Sequence, residues 1–433
     1  MSKTPIVMKP LFSWEELSQN FQLTRQSLYK KLREVEKEVR EIIERVMEEG
    51  DGALRYYTRK FDGCDIRKWL IEERELQNSW KKMDKSFQET IADIEKRVRS
   101  FHQRQKPLSW WEEHSPSLWG ERWQPLRSVA CYIPGGRFPY PSSLLMTAIP
   151  AQIAGVKEII VLTPPDAQGK VKSEILATAF FLGVKKVYRV GGAQAIAGAC
   201  FGTSSLPAVD KIVGPGNIYV TAAKKILQGI VGIDTLAGPS EVVIVADETS
   251  SPHWLALDLL AQAEHDPLSL SILLSPEEEI LLETKRYLER ELQNQPLSFS
   301  REIPIYLYQV ESKEKAWEMV NFLAPEHLEI ITKEPEKDCL RIKNAGALFL
   351  GPQAPVALGD YGYGPNHVLP TSRGATFSSP LSVRDFGKFS SFIFPQDSQT
   401  LSWEQFSQLA EIEGLYYHRR SLLARGGKEW PLS

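Results

Sequence analysis

From Ser128 onward, short apolar runs alternate with Ala-rich helical stretches, and few folds accommodate that alternation. The runs fall at residues 128–133, 158–163, 186–190, 211–213, 242–246 and 268–274, and the helical stretches at 142–154, 171–182, 193–199, 219–227 and 254–264. The runs are apolar continuously rather than at every second residue, as expected of strands covered by helices on both faces. Strand, helix, strand in this order predicts α/β architecture with mostly parallel sheet. Beyond Pro304 a strand at 305–309, a helix at 314–322 and a strand at 347–350 continue the pattern and predict a second α/β unit. At about 150 residues per domain, the 433 residues allow roughly three structural units.

The flanks read differently. Residues 26–106 are highly charged, and Val35, Val39, Ile42, Ile43 and Val46 recur at helical spacing. Gly50-Asp51-Gly52 stops that helix, and Phe87, Ile91, Ile94 and Val98 mark another that ends before Pro107. A Trp-rich connector spans 110–123, and residues 351–376, rich in Gly, Pro, Asn and Asp, form the kind of loop that carries function. Helix resumes at 403–412 and 414–425 after a polar linker.

Lys and Arg total 52 against 55 Asp and Glu, a formal charge of −3, so no global basic field attracts nucleic acid or an anionic membrane. Small molecules are the expected partners. No apolar run approaches the roughly 18 residues needed to span a bilayer, and the first 22 residues lack the apolar core of a signal peptide; a cytoplasmic location is expected. The four cysteines contain no CxxC pair. Cys131, inside the apolar run 129–133, reads as a buried structural thiol, because an apolar setting raises a thiol's pKa and leaves it inert.

Neither a GxGxxG fingerprint nor a Walker A loop is present. Two glycine turns come nearest: Gly191-Gly192-Ala193-Gln194 after the run 186–190, and Gly214-Pro215-Gly216-Asn217 after 211–213. A glycine turn between a strand and a helix can bring backbone N–H groups onto a phosphate, and two of them at neighbouring carboxyl ends suit the ligand crevice of an open α/β sheet. Tight turns that bind nothing are the competing reading. Of the seven histidines, His102, His114 and His253 sit in charged or loop contexts and read as solvated. Gln262 and His265 lie at i and i+3 of one helical face and could point into a cavity. Pro325 suits the first position of a helix, with Glu326 in its first turn; on that reading Glu326 and His327 do not face each other and serve different atoms. His367 shares a loop with Asp360, and His418 follows Glu413 near the C-terminus. Whether these dispersed groups meet in a four-ligand metal site is open at this level.

Taken together, these segments resemble the histidinol dehydrogenase family. The resemblance rests on Tyr132-Ile-Pro-Gly-Gly136, Tyr140-Pro-Ser-Ser-Leu-Leu-Met146, Val190-Gly-Gly-Ala-Gln-Ala-Ile-Ala197, Val209-Asp-Lys-Ile-Val-Gly-Pro-Gly-Asn-Ile-Tyr-Val220 and Ala237-Gly-Pro-Ser-Glu241. It continues through Gln262-Ala-Glu-His-Asp266, Ala324-Pro-Glu-His-Leu-Glu329, Gly359-Asp-Tyr361, Gly364-Pro-Asn-His-Val-Leu-Pro-Thr371 and Glu413-Gly-Leu-Tyr-Tyr-His418, covering about 50–425 in the family's order. It implies two incomplete Rossmann-like domains with an N-terminal helical arm and a small C-terminal helical dimerisation tail: an arm at 1–25, a zinc and substrate domain from 26–128 with 242–382, an NAD domain at 129–241 and a tail at 383–433.

The same resemblance implies zinc ligands at Gln262, His265, Asp360 and His418, a general base at His327 and a water-activating carboxylate at Glu326. Substrate contacts would fall on Ser240, Glu413 and the ligand residues, with His367 a further contact or support, and NAD contacts on Tyr132, Gln194 and Asn217. It implies a homodimer in which the tail, with Glu413 and His418, completes the partner's site. The implied reaction oxidises L-histidinol to L-histidine through L-histidinaldehyde with two NAD⁺; oxidation of another primary alcohol by the same apparatus is the alternative. Arg373-Gly-Ala-Thr-Phe377 and Ser379-Pro-Leu-Ser-Val383 depart from the family's usual patterns, and Tyr416-Tyr417 and Arg419-Arg420 are bulkier than usual around His418.

Overall fold

The computed structural model describes the chain except for residues 1–5, 10–13, 115–116, 136–137, 237, 265–268, 294–304, 396–400 and 427–433. Its strands, in chain order, are β1 (Ile6–Lys9), β2 (Trp110–His114), β3 (Ser117–Pro125), β4 (Ser128–Tyr132), β5 (Glu158–Thr163), β6 (Lys186–Arg189) and β7 (Lys211–Val213). They continue with β8 (Gly232–Ile233), β9 (Glu241–Ala246), β10 (Leu270–Ser275), β11 (Ile305–Gln309), β12 (His327–Ile331), β13 (Ala347–Leu350) and β14 (Gly387–Pro395). The chain divides into two compact units, residues 1–105 with 126–386, and residues 106–125 with 387–433.

The first unit contains two parallel sheets, in the orders β6-β5-β4-β7-β8 and β1-β11-β10-β9-β12-β13. In the five-stranded sheet the chain starts at the central β4 and winds outward one way and then the other; in the six-stranded sheet β9 to β13 wind in the same way from β9, and β1 is added at the edge beside β11. Each sheet therefore has a switch point, between β4 and β7 and between β9 and β12, where two connections leave in opposite directions and open a crevice. The continuous apolar runs occupy these strands because both faces are covered: every residue of β4 and of β9 is buried.

On one face of the five-stranded sheet, Val39, Ile42 and Val46 of the helix Trp14–Glu49 pack with Ala130, Ile160, Ile196 and Val220. On its other face, Ile91 and Val98 of the helix Lys85–Gln103 pack with Ile149 and Val161. The N-terminal helices thus cover the five-stranded sheet, whereas the sequence reading grouped residues 26–128 with the other sheet, and the boundary expected at residue 25 falls inside one helix. Chain order misled here, since a helix packs on whichever sheet its apolar stripe fits. The six-stranded sheet is closed by the helices Pro252–Ala263 and Glu278–Gln293 on one face and Lys313–Leu323 on the other.

The second unit is an antiparallel sheet in the order β14-β3-β2, followed by the helices Trp403–Ile412 and Tyr416–Arg425. The Trp-rich connector is therefore a hairpin, and the tail expected to be helical begins with a strand nine residues long. Among the described residues no helix is long and apolar enough to cross a membrane.

Candidate active site

Glu326 and His327 stand at the amino end of β12, beside the amino end of β9. The sequence reading placed them in the first turn of a helix; instead, the helix Lys313–Leu323 ends at Ala324, whose φ of 46° turns the chain, and Leu328 and Ile330 pack as core residues of a strand. Gly346 lets β13 come this close, because a Cβ there would collide with the Glu326 carbonyl oxygen, which accepts from the amide of Ala347 at 2.9 Å. Glu326 lies just ahead of the strand, where strict alternation of side chains does not yet hold, and the two side chains meet. His327 Nδ1 lies 3.6 Å from Glu326 Oε2 and 3.1 Å from the carbonyl oxygen of Glu241.

Two carboxylates meet here, and the charge of a third reaches them. Glu326 Oε2 accepts from the backbone N–H of Glu241 at 2.9 Å, and Glu241 Oε1 accepts from that of Ser372 at 3.2 Å. Burial pushes the Glu326 carboxyl well above the usual range; the charges of Glu241 and Asp360 add to this, and the Glu241 N–H opposes it. Burial likewise raises Glu241 to about 7, against the backbone N–H groups of Ser372 and Glu326. Carboxylates shifted upward by burial and by one another's charge are candidates for acid–base chemistry.

Asp360, whose charge reaches Glu326, closes the short helix Val356–Asp360, and its carbonyl oxygen accepts from His367 Nδ1 at 3.1 Å. Gln262 lies at the C-terminal end of the helix Pro252–Ala263, buried, with neither Oε1 nor Nε2 hydrogen-bonded. An amide left wholly unpaired in a buried position calls for a ligand atom. Ser240 precedes β9, and the neighbouring Gly238 N–H donates to Thr371 Oγ1 at 2.6 Å. Among the described residues no three His, Cys, Asp or Glu side chains gather closely enough to hold a metal. His265 lies outside the described residues. Glu413 and His418 belong to the second unit, where Glu413 follows one helix and His418 lies in the next.

In the five-stranded sheet the two glycine turns follow β6 and β7, which are not the neighbours expected from the sequence: β5 and β4 lie between them, and only β7 borders the switch point. Tyr132, the last residue of β4, accepts the Gly192 N–H on its hydroxyl at 3.1 Å, and burial raises that hydroxyl to about 12. Gln194 is buried with Oε1 unpaired. Asn217 Oδ1 caps the helix Ile218–Leu227, accepting from the amides of Tyr219 and Val220 at 3.1 Å each.

His102 corrects the surface reading. It is fully buried, with Nδ1 2.8 Å from the Val98 carbonyl oxygen and Nε2 3.2 Å from Asn366 Nδ2. Its charged neighbours in sequence point outward while its own helical face meets the core. His253 stays half-exposed as expected, the His114 side chain lies outside the described residues, and Cys131 is buried with its thiol pushed up to about 12.

Sequence reasoning gave no role to Glu241, to the turn at Thr371–Arg373 or to a second carboxylate cluster. In that cluster Glu329 of β12 is buried, accepts from the Val356 N–H at 2.7 Å and feels the charge of Asp258. An acidic residue inside the apolar strand His327–Ile331 was the available signal. Ser372 and Arg373 have φ of 53° and 65°, so the departure from the family pattern noted near Arg373 coincides with strained backbone that abuts Glu241.

Two parallel sheets covered by helices and a buried acid–base cluster define an α/β enzyme. The family model described as histidinol dehydrogenase matches residues 25–426. The chain is 44% identical over 403 residues to the histidinol dehydrogenase of Bacillus cereus, covering 91% of this chain and 93% of that protein. It is 44% identical over 393 residues to that of Halalkalibacterium halodurans, covering 89% and 92%. A crystal structure of histidinol dehydrogenase from Elizabethkingia anophelis superposes with a TM-score of 0.89 at 33% identity, covering 97% of this chain and 98% of that one. The chain belongs to the histidinol dehydrogenase family: it is an oxidoreductase, and its family oxidises histidinol in histidine biosynthesis.

Proposed function

We propose that this enzyme carries out the NAD-dependent four-electron oxidation of L-histidinol to L-histidine through L-histidinaldehyde, with one zinc ion in each site. The observation that carries the reading is the placement of Glu326 and His327 against Glu241, and a buried Gln262 whose amide has no partner supports it.

The donor set fits zinc. Gln262 offers an unpaired carbonyl oxygen and Asp360 a carboxylate whose charge reaches Glu326; we propose these with His265 and, across a homodimer, His418 of the partner subunit as the four ligands. Bound there, zinc would hold the substrate's imidazole and amino nitrogens in one orientation. Ser240, His367 and the partner subunit's Glu413 would contact substrate. The glycine turns, with Tyr132, Gln194 and Asn217, would hold NAD; the unpaired Gln194 oxygen at the first turn supports this.

His327 Nδ1 faces a carbonyl oxygen, which can only accept, so Nδ1 carries the hydrogen and Nε2 keeps its lone pair. Nε2 is then the atom that takes the hydroxyl proton as hydride leaves the substrate carbon for the nicotinamide. In the second half Glu326 deprotonates water for attack on the aldehyde, and His327 takes the proton of the resulting hydrate as a second hydride leaves. Two NAD⁺ are consumed, and carbon passes from alcohol to carboxylate.

The test is histidinol-dependent NADH formation measured beside zinc content. The wild type should yield two NADH per histidinol, and His265→Asn should lose bound zinc and activity together. Unchanged zinc and activity in that variant would remove the metal assignment. Preference for a different amino alcohol would favour the alternative substrate class.

A further inference from the structure

The glycine turn after β7 is held by a buried charge pair for which the reaction has no use. Lys224, on the helix Ile218–Leu227, and Asp234, just beyond β8, have side chains only 4% and 2% exposed. Their contacts close a ring around one residue. Lys224 Nζ donates to the Gly214 carbonyl oxygen at 2.6 Å and to Asp234 Oδ1 at 2.7 Å, while Asp234 Oδ2 accepts the Gly214 N–H at 2.6 Å.

Both backbone polar groups of Gly214 are thus fixed by side chains rather than by sheet or helix. Gly214 also has a φ of 110°, and a Cβ there would collide with the Tyr132 carbonyl oxygen at the end of β4. Tyr132 in turn takes the first turn's Gly192 N–H on its hydroxyl. The pair therefore presses one turn against the same residue that holds the other, across the β4/β7 switch point. A buried ion pair is rarely the most stable way to fill a core, because desolvation offsets its attraction, so a positional role is the natural reason to keep one.

We propose that Lys224 and Asp234 are positioning residues for the nucleotide: they fix Gly214 so that the turn Gly214–Asn217 presents its backbone N–H groups to the NAD pyrophosphate. This rests on NAD binding at the glycine turns, and the experiment separates the two. The variant Lys224→Met/Asp234→Leu removes both charges, so no buried charge is stranded, while the Gly214 N–H and carbonyl oxygen lose these side-chain partners; Lys224→Met alone strands Asp234 and costs the fold more.

NADH binding is followed by fluorescence titration of the folded protein, alongside thermal unfolding and steady-state kinetics. In the double variant the NADH dissociation constant and the KM for NAD⁺ should each rise on the order of tenfold, with kcat at saturating NAD⁺ and the KM for histidinol within about twofold of wild type. Unchanged NADH affinity in a folded double variant overturns the proposal, as does a uniform loss across all four constants, which marks a merely structural pair. Gln194→Ala and Asn217→Ala serve as controls. If they weaken NADH binding while the double variant does not, only the positioning role falls. If none of the three does, the nucleotide does not bind at these turns and both readings fall.

Discussion

At the scale of single residues, the active site is a problem in placing protons. Glu326, Glu241 and His327 share a buried pocket in which full ionisation of both carboxylates is disfavoured, by burial first and by their mutual charge second. The arrangement separates two tasks. By the proposal above, His327, with Nδ1 on a carbonyl oxygen, is the base in both oxidations, whereas Glu326 acts only where water attacks. Glu326→Gln should therefore slow oxidation of supplied histidinaldehyde by on the order of a hundredfold or more, the usual span of general-base effects, and spare alcohol oxidation. His327→Asn should damage both steps. Single-turnover measurement of each half-reaction checks this, and equal slowing of both by Glu326→Gln would show the division of labour to be wrong.

At the scale of elements, what matters is how rigid pieces are tied to the loops bearing the site. His102 joins the helix Lys85–Gln103 to the segment containing Asn366 and His367: Nδ1–H donates to the Val98 carbonyl oxygen and Nε2 accepts from Asn366, whose amide also donates to the Met146 carbonyl oxygen at 2.7 Å. Burial lowers the imidazole pKa, outweighing the carbonyl groups of Val98 and Leu381 that favour the charged form. The unfolded chain then binds this proton at higher pH than the folded one. The His102 contribution is complete above the ordinary histidine pKa of about 6.5 and is lost as pH falls below it, at a slope of at most about 1.4 kcal/mol per pH unit. His102→Gln should be less stable than wild type at pH 8, and chemical denaturation across a pH series should show the gap narrowing toward pH 5. A gap independent of pH would mean that the imidazole does not titrate in this way.

At the scale of the whole molecule, the two proposed crevices sit at opposite ends of their strands. In the five-stranded sheet the glycine turns follow the carboxyl ends of β6 and β7, as open α/β sheets usually arrange their ligands. In the six-stranded sheet Glu241 and His327 open β9 and β12, and Gln262 closes a helix that runs back to the same edge. The site assembled there draws on segments about a hundred residues apart in sequence, and by the proposal above on a second chain as well. Subunits carrying His265→Asn and subunits carrying His418→Asn, each inactive, should regain roughly a quarter of wild-type activity when dissociated, mixed and reassociated. Half the dimers would be mixed, and each of those would hold one site free of both lesions. Confirmed subunit exchange with no recovery would place His418 in its own chain's site.

Much of this was legible in the sequence. The apolar runs marked β5, β7, β11 and β13 to the residue, and for β5, β7 and β11 the reason is burial, since a strand covered on both faces leaves few polar positions to blur its ends. The motifs pointed to Glu326, Gln262 and the two glycine turns, and the structure shows Glu326 in a buried acid–base cluster and Gln262 buried with its amide unpaired; their roles stay with the proposal above. Tertiary structure decided which sheet the N-terminal helices cover, that Pro325-Glu326-His327 leads into a strand, and that Lys224, Asp234 and His102 are buried. Those outcomes depend on surfaces meeting across long separations in the chain. A lysine in a helix or a histidine among charges looks the same in sequence whether its face meets water or a core, and only packing selects between them.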